Sequence, residues 1–149
     1  MMTESNQHTI WQAYSYLFVR LILGLIFFMA GIFKVFELGP MGHAERFFLP
    51  YQDTFLPVWS LWVVGVSIPI VELLAGALLI IGWMVRWAAV SLGIVLVVVT
   101  FGHLLKEPLF AFHAHVIPRL VLVLFVLILP EAMDRFSIDN WLKSRSKDS

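Results

Sequence analysis

The run "YLFVRLILGLIFFMAGIFKVF", Tyr16 to Phe36, sets only Arg20 and Lys34 among apolar residues over about 20 positions, the length at which an α-helix crosses a bilayer. Such a segment leaves the backbone little choice. In hydrocarbon every peptide N–H and C=O must be satisfied within the structure, which a helix does alone. Two more runs share this character, about Val58 to Ile81 and about Trp87 to Leu105, joined by a tight turn over Gly82 to Arg86. A fourth, Leu109 to Pro130, is interrupted by Pro118, which removes a helical hydrogen bond. Roughly 12 to 16 residues follow Pro118 before Glu131, short for a full crossing. Either a kinked helix runs through Pro118 or Leu109 to Ile117 enters as a non-helical segment shielded by protein. The kink is the simpler reading. The expectation is one domain over residues 1–149, an all-α integral membrane bundle of four helices at about 16–36, 58–81, 87–105 and 109–130.

Composition agrees with lipid as the solvent, since 60% of residues are hydrophobic and 13% charged. Ten Lys and Arg balance ten Asp and Glu without a long basic run, so no nucleic-acid partner is expected. Cysteine is absent, which removes disulfides, thiolate nucleophiles and iron–sulfur ligation from this chain's own chemistry. The leader Met1 to Gln12 has no Lys or Arg, and the first apolar run is longer than the core of a signal peptide. It reads as a retained anchor.

The segment "ELGPMGHAERFFLPYQDTFLP" is a loop, punctuated by Gly39, Pro40, Gly42, Pro50 and Pro57, whose "HAERFF" suits a short interfacial helix. The densest basic stretch follows Pro130 with Arg135, Lys143, Arg145 and Lys147, which puts both termini in the cytoplasm. All six tryptophans then fall at interfaces: Trp11, Trp83, Trp87 and Trp141 inside, Trp59 and Trp62 outside.

Glu72 stands inside "PIVELLAGALLIIG" and needs an explanation, because a lone charge at mid-bilayer costs about 3 kcal/mol on insertion scales. Gly65, Pro69, Glu72 and Gly76 share one helix face, as do Arg20, Gly24, Phe27, Gly31 and Lys34 on the first helix. Small residues at that spacing let the two faces approach closely. Placed roughly 10 Å and 15 Å in from the inner helix ends, Arg20 and Glu72 are the expected ion pair. It could pin two helices or handle protons, and the residues leave both uses open.

A second polar set lies toward the outer side. Thr100 and His103, Lys34, His115 and Arg119 can converge there, and a vestibule of Lys, Arg and His above a buried carboxylate suits an anionic or quinone-like ligand. The candidates for ligand binding or proton handling are Glu72, His103, Lys34 and Arg119; no catalytic residue is identified. Quinone is the only cofactor this set suggests. The "HAH" at 113–115, even with His43 and His103, matches no metal-ligand spacing, so no metal is expected. No phosphate loop, Ser-His-Asp set or dinucleotide fingerprint is present.

The stretches "RLILGLIFFMAGIFKVF" (20–36), "ELLAGALLIIGWMVRWAA" (72–89) and "DRFSID" (134–139), in this order and spacing, resemble the three signature stretches of the DoxX family of small four-helix membrane proteins. The resemblance spans Leu17 to Asp139. Arg20, Gly24, Gly31, Lys34, Glu72, Gly76, Gly82 and Arg86 match its pattern. The tail departs from it, because "PEAMDRFSID" supplies Pro130 and no glycine where the family has a glycine-containing turn. The resemblance implies a membrane subunit of an oxidoreductase complex, located in the bacterial inner membrane, with soluble or membrane oxidoreductase subunits as partners beside the lipid bilayer. It also allows a non-catalytic scaffold or assembly chaperone, as in animal relatives, and a homo-oligomer.

Overall fold

The computed structural model describes residues 4–107 and 112–145. Among them the regular elements are all helical: α1 (Glu4–Ile32) runs on as a π-helical turn (Phe33–Glu37), followed by α2 (Pro40–Phe47), α3 (Val58–Ile81), α4 (Val85–Lys106), α5 (Phe112–Ile128) and α6 (Ile138–Arg145). Three of these helices are long and apolar enough to cross a membrane, over Thr9–Glu37, Val58–Ile81 and Val85–Lys106; the apolar part of α5, Val116–Ile128, is shorter. The chain is an all-α membrane bundle. It is apolar inside and out, as lipid requires. On α3, Leu61, Ile68, Ala75 and Leu79 face the core while Val63, Ile70 and Leu74 face outward.

α5 is helical from Phe112 straight through Pro118, so residues 112–117 are not a non-helical entry. Leu109 to Ala111 lie outside the described residues. The first helix begins well before Tyr16, because polar residues from Glu4 onward continue its turns.

α1 and α3 pack antiparallel in a register set by glycine. A Cβ on Gly31 would sit 2.5 Å from the Leu73 backbone nitrogen, and one on Gly76 would sit 2.5 Å from that of Phe28. Only hydrogen fits at these points, which lets the two backbones touch. Gly24 lies against Ile80 further along the same seam. Behind it, Tyr16, Leu23, Phe27, Leu79, Leu92, Leu96, Val123 and Val126 form a core shared by α1, α3, α4 and α5.

Two consequences follow from the register. Residue numbers at one level of α1 and α3 add to about 104, so the Gly82 end of α3 is level with the middle of α1. The first turns of α1 therefore overhang α3 by about 27 Å at 1.5 Å per residue, and the end of α5 and the segment before α6 cover them. At the opposite end α3 outreaches α1. The short α2 fills that space, packing on the N-terminal half of α3 through buried His43 and Ala44. The "HAERFF" helix is thus part of the bundle rather than only interfacial.

Candidate functional site

The chain holds its buried charges at two levels. Near the α6 end, Arg20 is 1% exposed, which makes it one of the most deeply buried side chains. Its Nη1 donates to the Leu79 carbonyl at 3.0 Å and its Nη2 to the Phe136 carbonyl at 3.1 Å, while Nε lies 3.5 Å from Asp134 Oδ1. Burial raises the Asp134 carboxyl above its ordinary range, against the pull of Arg20 and of the Ser137 hydroxyl. The same segment locks the α3–α4 turn. Gly82 takes φ 75°, the left-handed conformation in which glycine carries no steric penalty, and a Cβ there would collide with the Arg20 guanidinium. Met84 is also left-handed, at φ 50°. It is held by the Asp139 carboxylate, whose two oxygens accept from Met84 N–H at 3.0 Å and Val85 N–H at 3.1 Å, capping α4 from a distant segment. Arg20, Gly82, Asp134, Ser137 and Asp139 form one clasp.

The turn before α6 needs no glycine. A single 3₁₀ turn, Glu131–Met133, follows Pro130, and Met84 is the only described non-glycine residue with positive φ. Glu131 binds Lys143 and lies 2.9 Å from Arg86.

Glu72 sits about 18 Å along the bundle axis from Arg20, so the expected pair does not form. The partner of Glu72 is Lys34, whose Nζ lies 2.5 Å from Oε2. The two residues match in depth only where the helix ends lie level, and here they do not. The overhang of α1 carries Arg20 down to the α3–α4 turn and brings Lys34 opposite Glu72.

Above this pair lies a cavity of about 670 Å³ between α2, α3, α4 and the loop after α2. Lys34, His43, Arg46, Ser60, His103, Lys106 and Glu107 supply its polar lining, and Phe48, Leu61, Val64, Ile68, Val98 and Val99 much of its apolar wall. Lys106 closes the rim, donating to the Pro50 carbonyl and lying 4.8 Å over the Tyr51 ring. Lys34 and His103 thus share one space, and Glu72 reaches it through Lys34.

Arg119 does not line this cavity. Its guanidinium lies 6.0 Å from the Phe27 ring centroid, because α5 packs on α1 and α4 while α2 takes the place over α3. The side chains of His113 and His115 lie outside the described residues. Among the described residues no group of three His, Asp or Glu could hold a metal ion.

His43 reaches the cavity by a route the spacing of residues did not single out. Pro69 has no N–H, so the Gly65 carbonyl four residues earlier loses its helical donor. His43 Nδ1 fills the vacancy at 2.7 Å, and Gly65 makes room, since a Cβ there would sit 2.7 Å from that of Ala44. Burial, with a smaller effect from Lys34, lowers the His43 pKa against the opposing bond to Gly65. Burial thus favours the neutral imidazole.

Residues 15–114 match the model of the DoxX family. No curated protein and no solved structure matches the chain.

Proposed function

This chain belongs to the DoxX family, and from that premise we propose that it is a membrane subunit of an oxidoreductase complex whose α2-side cavity takes a quinone or another oxygen-rich amphiphile. The observation that carries the binding half is the cavity itself. Its size lies within the range of small-molecule sites, and it combines a few convergent cationic and imidazole groups with apolar walls. Lys34 and His103 donate to ring carbonyl oxygens, and Val64, Ile68, Val98 and Val99 hold an alkyl or isoprenoid tail. Glu72 orients Lys34 through their ion pair and is the proton-handling candidate of the site. The family resemblance supports the redox half. In this reading the α6 end faces the cytoplasm of a bacterial inner membrane, as the basic residues of the tail favour.

The test is equilibrium binding of decylubiquinone to the protein in lipid nanodiscs, alongside His103→Ala and Glu72→Gln. Saturable binding by the wild type, weakened about tenfold in each variant, is the expected result. No saturable binding, or equal binding by all three, favours a scaffold or assembly factor instead.

A further inference from the structure

We infer that His43 sets the specificity of the α2-side cavity: its Nε2 lone pair selects a head group bearing a hydroxyl, so a hydroquinone or other phenol is preferred to the oxidised quinone. This deepens the amphiphile-binding reading above and rests on it.

The argument begins with Pro69. A carbonyl oxygen can only accept, so the 2.7 Å contact between His43 Nδ1 and Gly65 O places the proton on Nδ1. In the neutral ring that burial favours, Nε2 then carries a lone pair and no hydrogen. The ring cannot exchange this tautomer without leaving Gly65 O unpaired inside the bundle, where an unmet carbonyl is expensive. Phe47 and Phe48, with ring centroids 5.1 Å and 5.6 Å from that of His43, hold its orientation.

His43 is 3% exposed yet lines the cavity, and among the described residues Nε2 has no hydrogen-bond partner. It is not sealed away either, since the buried side-chain atoms lacking partners among the described residues are Arg20 Nε and Asp134 Oδ1. The free acceptor therefore opens onto the cavity. Lys34, Arg46 and Lys106 can only donate, while the Glu107 carboxylate lines the same cavity as a further acceptor. A quinone carbonyl can use those donors but has nothing to offer Nε2. A hydroxyl uses both, accepting from Lys34 through its oxygen and donating its hydrogen to His43.

The test compares duroquinone, durohydroquinone held reduced under anaerobic ascorbate, and durohydroquinone dimethyl ether, by calorimetry on the full chain in nanodiscs. The wild type should bind the hydroquinone about tenfold more tightly than the quinone or the ether, the worth of one buried hydrogen bond. His43→Asn keeps a donor for Gly65 O and deletes Nε2, so it should cut the preference for hydroquinone over ether several-fold while thermal stability is retained. Equal wild-type binding of hydroquinone and ether, or an unchanged preference in His43→Asn, overturns the inference and leaves the cavity reading standing. Binding of none of the three by the wild type removes the cavity reading itself. Should His43→Asn not fold, the wild-type comparison of hydroquinone with ether decides alone.

Discussion

Lys34 in the π-helical turn that continues α1 and Glu72 at mid-length of α3 meet at 2.5 Å, with the carboxylate almost wholly buried and the ammonium reaching the cavity. The pair answers why so apolar a helix tolerates a carboxylate. Each charge supplies the other's counter-ion, and the glycine seam sets both at one height.

Glu72→Gln should therefore destabilise the bundle by about 3 kcal/mol, because it leaves Lys34 as an uncompensated charge. Lys34→Met combined with Glu72→Gln should recover part of that loss. Arg20→Gln combined with Glu72→Gln should be additive, given about 18 Å between the levels of these residues. Thermal unfolding in detergent reads both cycles, and coupling in the second without coupling in the first would contradict the register.

The clasp at the α6 end makes its own prediction. Asp139→Ala removes the acceptors of two N–H groups at the start of α4, one of them on left-handed Met84. A loss of about 1–2 kcal/mol is expected. Faster hydrogen exchange at Met84 and Val85 than in the wild type locates the effect, whereas unchanged protection there would refute the cap.

Gly76→Ala should cost about 2–4 kcal/mol, since the new methyl group would lie 2.5 Å from the Phe28 backbone nitrogen and push two helices apart. Gly42→Ala on α2 meets nothing within 4 Å and should be neutral or stabilising. Equal melting shifts for the two would show that the α1–α3 seam is looser than these distances.

His43 and Pro69 should be energetically coupled although they share no direct bond. His43→Ala leaves Gly65 O without a donor in the wild type, but in a Pro69→Ala background the restored helical N–H can take that role. The cost of His43→Ala should fall by about 1–2 kcal/mol in that background. An identical cost in both would mean that the carbonyl is satisfied some other way.

The His43 shift also has a sign. Its folded pKa is depressed by burial, so the unfolded chain takes up the proton first. Its contribution to stability is intact above the ordinary value near 6.5 and erodes as pH falls through it toward the folded value. Melting temperature should drop between about pH 7 and pH 5 in the wild type, with a shallower slope in His43→Asn. Parallel slopes would assign the acid sensitivity to other groups.

Much of this architecture is written in local pattern. Runs of apolar residues, the Gly-spaced faces of α1 and α3 and the Gly82 turn are all one-dimensional signals. The heights at which helices meet are not. Arg20 and Glu72 look like partners when helix ends are taken as level, and nothing in either helix says that α1 overhangs. The resemblance of "DRFSID" to a signature stretch was the available hint, since a shared acidic motif far from any helix core needs a buried cation to serve. His43 was visible only as one of several scattered histidines. Its role depends on Pro69 freeing a carbonyl four residues back, a signal readable in Pro69 and Gly65 together but silent about which side chain fills the gap.

The Arg20 clasp also imposes an order on biosynthesis. Arg20 lies on α1, yet the Phe136 carbonyl and the Asp134 carboxylate that satisfy it are made more than a hundred residues later. At about 5–20 residues per second, the guanidinium waits roughly 6–23 seconds for its partners. During that interval α1 cannot settle at its final depth with Arg20 dry. Water or lipid phosphates must meet the charge until residues 134–136 fold back over it. A chain interrupted before Asp134 leaves Arg20 without either of these two partners.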